Sequence, residues 1–195
     1  MKFGEIEFDT IMGGYEIDNV PATSLPQDLA SAVSEINGGL LGATYLPIWY
    51  VGHQIVNGTN HMLICKEIRT TKDRHQMIVG LVINIPAKKS SGGTGASVVE
   101  IIEEANLSPE LKCIFDVATG QLMGVNYKPI AFIGKQVVRG INYYFICEAT
   151  RVVPNSKPYP VMLVINKFQD QMPMVVSIEV IEDGKTANAP LGEWP

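Results

Sequence analysis

The sequence predicts an α+β protein of two tandem domains, 1–103 and 104–195, each with one helix packed on a four- to five-stranded antiparallel sheet. Three observations predict it. The first is an internal repeat. Shifted by 82 residues, the chain overlays itself without a gap, so that LLGATYLPIWYVGHQIVNGTNHMLIC (40–65) falls on LMGVNYKPIAFIGKQVVRGINYYFIC (122–147). Between 38 and 65, 13 of 28 positions are identical, where chance gives about two. The second is a helical apolar stripe present in both copies, and the third is the run of strand-like segments that follows each stripe. A unit of this length is too long for a solenoid repeat and long enough to hold a core of its own.

The first helix is predicted within 21–37, with Ser24 as cap and Gln27 as its capping-box partner. Leu29, Ala32, Val33 and Ile36 then recur at i, i+3, i+4 and i+7. In the second copy Ser108 is the cap and Pro109 takes the first helical position, and the stripe is Leu111, Ile114, Phe115 and Ala118. Runs rich in Val, Ile, Tyr and Thr predict strands near 40–56, 60–70, 76–85 and 96–102, with counterparts near 122–138, 142–152, 160–167 and 174–181. A sheet with one polar face would leave the other for the helix to cover. The stretch 86–95 resembles a linker, but 97–102 overlays the second copy's 179–182, so Gly92–Gly95 belong to a loop inside the first domain.

Composition excludes several function classes. Hydrophobic residues are 46% and charged residues 18%, which is globular. A formal charge of −5 argues against non-specific nucleic-acid or anionic-membrane binding. Three cysteines are too few for a disulfide framework. The first residues lack the basic and apolar regions of a signal peptide, and no apolar run reaches about 18 residues. The expectation is a reduced, soluble, cytoplasmic protein. Cys65 and Cys147 occupy equivalent strand positions and read as buried small hydrophobes. His53, His61 and His75 have no equivalents in the second copy, and no Cys-x-x-Cys or His-x-x-x-His spacing exists. No enzyme activity, metal or cofactor is expected. The loop from Lys88 to Gly93 is not a phosphate-binding motif, and Glu100, Glu103 and Glu104 read as a solvated acidic edge.

One motif stands in both copies. Gln54-Ile55-Val56-Asn57-Gly58 and Gln136-Val137-Val138-Arg139-Gly140 are both Q-[IV]-V-x-G, each followed by x-N-[HY] and an apolar strand. This resembles the first inhibitory loop of the cystatin superfamily, inhibitors of papain-like cysteine proteases. The similarity is closest to the stefins. Gly13-Gly14 and then Pro21-Ala22-Thr23 ahead of a helix follow the stefin order, with Gly14 preceding Gln54 by 40 residues. Ile85-Pro86 resembles the Leu-Pro of the stefin second hairpin, and Met172-Pro173 stands for it in the second domain.

The resemblance implies two cystatin-like domains and one partner, a papain-like cysteine protease. It implies no nucleic-acid or membrane contact, and a monomer or a homodimer. The trunk Gly13-Gly14, the two Q-x-V-x-G hairpins and Ile85-Pro86 would form a wedge that fills the protease cleft. Gly58 and Gly140 suit tips that need positive φ, and Val56 and Val138 give stiff apolar tips. Gln54 and Gln136 would steady the loop base. The second domain departs from the pattern: Gly95 and Ala96 stand where the trunk glycines would be, and Arg139 places a charge at the tip. The alternative reading is a cystatin-fold binding or structural module without protease inhibition. Asn57-Gly58-Thr59 is also a glycosylation sequon, which fits a compartment that does not glycosylate.

Overall fold

The structure, a computed structural model, describes residues 16–71, 75–87, 92–182 and 185–188. The chain divides into two compact units, the break in sequence falling between Glu103 and Glu104. In the first, β1 (Glu16–Pro21) leads through a 3-10 turn (Ala22–Ser24) into α1 (Gln27–Gly39). Then come β2 (Ala43–Val56), β3 (Gly58–Arg69), β4 (Gln76–Ile85) and β5 (Ser97–Ile102). All five strands form one antiparallel sheet in chain order. In the second, α2 (Pro109–Thr119) precedes β6 (Val125–Val138), β7 (Gly140–Arg151), β8 (Tyr159–Lys167), β9 (Met174–Glu182) and β10 (Lys185–Asn188), with sheet order β10-β9-β8-β7-β6.

Local chemistry sets the element ends. Ser108 caps α2, its hydroxyl accepting from the Leu111 N–H at 3.3 Å, with Pro109 in the first turn. Ser24 does not cap α1. The extended backbone of Leu25 (φ −63°, ψ 142°), enforced by the proline after it, separates Ser24 from a helix that starts beyond Pro26. Asn37 closes the other end of α1, exchanging hydrogen bonds with the Tyr45 carbonyl (2.8 Å) and N–H (2.9 Å). Pro47 and Pro129 each sit where the β2–β3 and β6–β7 registers slip, so a residue without an N–H coincides with a bulge in both copies.

Leu29, Ala32, Val33 and Ile36 of α1 share a core cluster with Leu63, Cys65, Val79, Leu81 and Ile83. Ile114, Phe115 and Ala118 of α2 share another with Phe145, Cys147, Val161, Leu163 and Ile165. These strand residues are the odd-numbered ones. The even-numbered Met62, Ile64, Ile78 and Val82, and Ile146 and Met162, belong to neither cluster, yet each is at most 4% exposed. Both faces of each sheet are therefore buried.

That finding corrects the expected fold class. The chain is not an α+β tandem of cystatin-like, helix-on-sheet domains; it is mostly β, with two antiparallel sheets and, among the described residues, two α-helices. The helices have 13 and 11 residues, against strands of 14, 12, 14 and 12 in β2, β3, β6 and β7. The expectation rested on the helical stripes and left the faces of the sheets unassigned. The strands read as near-continuous apolar runs, the pattern of sheets covered on both sides.

Two polar clamps fix the first unit. The Glu35 carboxylate on α1 accepts from the Thr94 N–H (2.9 Å) and hydroxyl (2.8 Å), which holds it below the ordinary carboxylate range and pins the loop ahead of β5. Buried Glu67 accepts from Arg69 Nε at 2.7 Å, and Arg69 also reaches Glu103 at 3.4 Å.

Candidate functional site

The two Q-x-V-x-G segments form the tips of the β2–β3 and β6–β7 hairpins. In the first, Gln54 pairs with Asn60, Ile55 with Thr59 and Val56 with Gly58, leaving Asn57 at the apex. In the second, Gln136 pairs with Asn142, Val137 with Ile141 and Val138 with Gly140, leaving Arg139 at the apex. Gly58 has φ +102° and Gly140 φ +94°, a region L side chains rarely adopt. Ile55 is 80% exposed and Val137 78%, whereas Val56 and Val138 are 44% and 43% exposed. The apolar group presented furthest at each tip is thus the residue before the motif's valine.

Each tip is braced from behind by the start of the next loop. A Cβ on Gly58 would run into the Ile85 carbonyl oxygen and lie 2.9 Å from Pro86 Cα; one on Gly140 would lie 2.5 Å from the Lys167 oxygen and 3.0 Å from Phe168 Cα. One layer deeper, Asn84 Nδ2 donates to Asn60 Oδ1 at 2.8 Å, and Asn166 Nδ2 donates to Asn142 Oδ1 at 2.7 Å and to the Arg139 carbonyl at 3.4 Å. Gln136 accepts from the Tyr144 hydroxyl at 2.8 Å.

These contacts redistribute the roles expected of the site residues. Gly13 and Gly14 lie outside the described residues. Ile85 is 7% exposed and belongs to the core beside α1, so it serves as a backstop to Gly58 and presents no surface; Pro86 is half-buried. Its positional counterpart in the second unit is Lys167-Phe168, since Lys167 pairs with Ile141 as Ile85 pairs with Thr59. Met172-Pro173 stands elsewhere, the Pro173 carbonyl accepting from Gln121 Nε2 at 3.0 Å. The asparagine pairs were missed. Their signal was in the repeat, because Asn60 and Asn84 fall on Asn142 and Asn166 under the same shift.

The surroundings of the two tips differ in charge. Beside the first, His53 Nδ1 lies 2.8 Å from Asp18 and Nε2 3.6 Å from Glu16, which ties β1 to β2 one residue from Gln54. His61 is buried and shares a 3.0 Å hydrogen bond between Nδ1 and the Tyr50 hydroxyl; burial lowers its pKa and keeps the ring neutral. The Tyr50 hydroxyl is pushed up by burial, then by Asp18. At the second tip the Arg139 guanidinium lies over the Phe168 ring, 5.3 Å from its centre.

Cys65 and Cys147 are fully buried, and burial pushes both thiols far up, so they stay protonated. Cys113 is exposed and all three thiols are free. Among the described residues no group of three or more His, Cys, Asp or Glu side chains is placed to hold a metal ion. No helix among them is long and apolar enough to cross a membrane. No protein-family model matches this chain, and no curated protein is significantly similar to it.

Proposed function

We propose that this protein is a reversible inhibitor of papain-like cysteine proteases, acting by occlusion of the active-site cleft with the β2–β3 tip. The observation that carries the reading is the duplicated, braced Q-x-V-x-G tip: two exposed apolar side chains held on a backbone that a glycine at positive φ bends and the neighbouring loop supports. Such a tip loses little conformational freedom on docking, so little binding free energy is spent on ordering it. Inhibition needs no catalytic group. In this reading Gly13 and Gly14, which precede β1 in sequence, would serve as the trunk. The site residues are Gly13, Gly14, Gln54, Ile55, Val56, Asn57 and Gly58, with Ile85 and Pro86 as support. Gln136, Val137, Val138, Arg139 and Gly140 form a second, separately charged tip. Three free thiols suit a reducing compartment, the cytoplasm.

The test is titration of papain activity with the full chain, wild type and the variants Ile55→Asp and Val137→Asp. Ile55→Asp is expected to weaken inhibition by about 30-fold or more, as loss of a central apolar anchor does, with the unfolding transition unchanged. Absence of inhibition by micromolar wild-type protein sinks the reading and leaves a non-inhibitory binding module.

A further inference from the structure

A cleft recurs at the same place in both units. In the first it lies between the 3-10 turn, α1 and β2, with a volume of about 540 Å³, lined by Leu25, Ala30, Val33, Pro47 and Ile48 among others. In the second it is about 220 Å³ and is lined by Leu107, Lys112, Phe115, Asp116 and Pro129 among others. Under the 82-residue shift Leu25, Ala30, Val33, Ser34 and Pro47 become Leu107, Lys112, Phe115, Asp116 and Pro129. The repeat therefore supplies an internal comparison. In the second unit a larger side chain replaces Val33, and Lys112 and Asp116 form an ion pair at 3.1 Å along the cleft wall. In the first, Ala30 and Ser34 stand in those two places, and the space stays open.

We propose that the first unit's cleft binds a small, uncharged molecule with an apolar body and hydrogen-bonding groups. The volume lies within the range of small-molecule sites. No residue lining the cleft is charged, so an ionic ligand would lose its hydration without a counter-charge. Its wall mixes apolar side chains with the polar Thr23, Ser34 and Asn37. The Asn37 side chain is taken up by the Tyr45 backbone, which leaves the Thr23 and Ser34 hydroxyls to meet donors or acceptors on the ligand. This site uses none of the residues of the hairpin tips, so it stands or falls apart from protease inhibition.

The test is fluorescence titration of the full chain with N-phenyl-1-naphthylamine, a neutral apolar probe, together with amide and methyl shift mapping. Wild type is expected to bind one probe saturably, with shifts centred on Leu25, Val33 and Ile48. The double variant Ala30→Lys/Ser34→Asp, which transplants the second unit's ion pair, is expected to bind about tenfold or more weakly. Its thermal midpoint should match wild type. Three results would overturn the proposal: no saturable binding, shifts mapping elsewhere, or unchanged binding by the double variant. A concentration-dependent dimer abolished by the double variant would also overturn it, in favour of a second copy of the chain. Should the double variant fail to fold, the shift map on wild-type protein decides the question alone.

Discussion

Replacing Gly58 with alanine isolates what braces the β2–β3 tip. Two costs add. An L residue at φ +102° pays about 1–2 kcal/mol of backbone strain. The new Cβ also meets the Ile85 carbonyl and sits 2.9 Å from Pro86 Cα. Both are backbone atoms that cannot swing aside, and forcing β4 and its loop outward costs about 1–3 kcal/mol more. The sum, about 2–5 kcal/mol, corresponds to a fall in melting temperature on the order of 15 °C for a unit of this size. Gly42 supplies the control: its φ is +113°, but nothing lies within 4 Å of its ideal Cβ, so Gly42→Ala pays the strain alone. Urea unfolding of the two variants, followed by circular dichroism, should place Gly58→Ala at least about 1 kcal/mol below Gly42→Ala. Gly140→Ala, whose Cβ would lie 2.5 Å from the Lys167 oxygen, should lose as much as Gly58→Ala, measured against Gly124→Ala in open space at φ +86°. Equal losses for Gly58→Ala and Gly42→Ala would refute the brace.

The pKa of His61 is lowered in the folded state by burial, so the unfolded chain binds the proton more readily; stability present above the unfolded value of about 6.5 should fall as the pH drops below it. His61→Tyr, which copies Tyr143 of the second unit, should flatten that part of a stability profile measured from pH 7.5 to 5. Asn84→Ala leaves Asn60 without its 2.8 Å donor and should cost about 1–2 kcal/mol in urea unfolding; Asn166→Ala, which also frees the Arg139 carbonyl, should cost at least as much. In a thiol-titration experiment on the native protein, Cys113 should react promptly, while Cys65 and Cys147 wait for unfolding.

Much of the local structure was legible because the chain contains its own comparison. Two different sequences keeping Leu29, Ala32, Val33, Ile36 and Leu111, Ile114, Phe115, Ala118 in one register left little freedom for the helices. Gly58 and Gly140 marked the tips, since a residue without Cβ is what a bend at positive φ demands. The fold class was not legible. The near-continuous apolar runs around Met62 and Ile64 mark a sheet covered on both faces, but a strand's own pattern does not say which elements supply the second cover. β1 was also missed: Glu16–Pro21 alternates poorly and owes its strand form to pairing with β2, including the His53–Asp18 contact. Ile85 was read as a surface contact because a sequence resemblance conveys the order of residues along the chain, while burial is set by the neighbours of β4.

What repeats and what diverges around the tips separates scaffold from surface. The shared residues, Gln54/Gln136, Val56/Val138, Gly58/Gly140, Asn60/Asn142 and Asn84/Asn166, set backbone shape or hydrogen-bond the loop base. The residues that differ lie at the apex and its flanks: Asn57 against Arg139, His53 against Lys135, Pro86 against Phe168. Apex substitutions at exposed positions are nearly neutral for stability, so the two tips were free to diverge there while the residues that shape the bend stayed the same. The two tips thus present different apex residues, Asn57 and Arg139, on one kind of brace. Arg139→Asn with Lys135→His should bring the second tip's salt dependence of any protease binding down to that of the first, since rim charges act chiefly through association rate and screening. A salt dependence left unchanged by that double substitution would show that the cations at the second tip play no part in recognition.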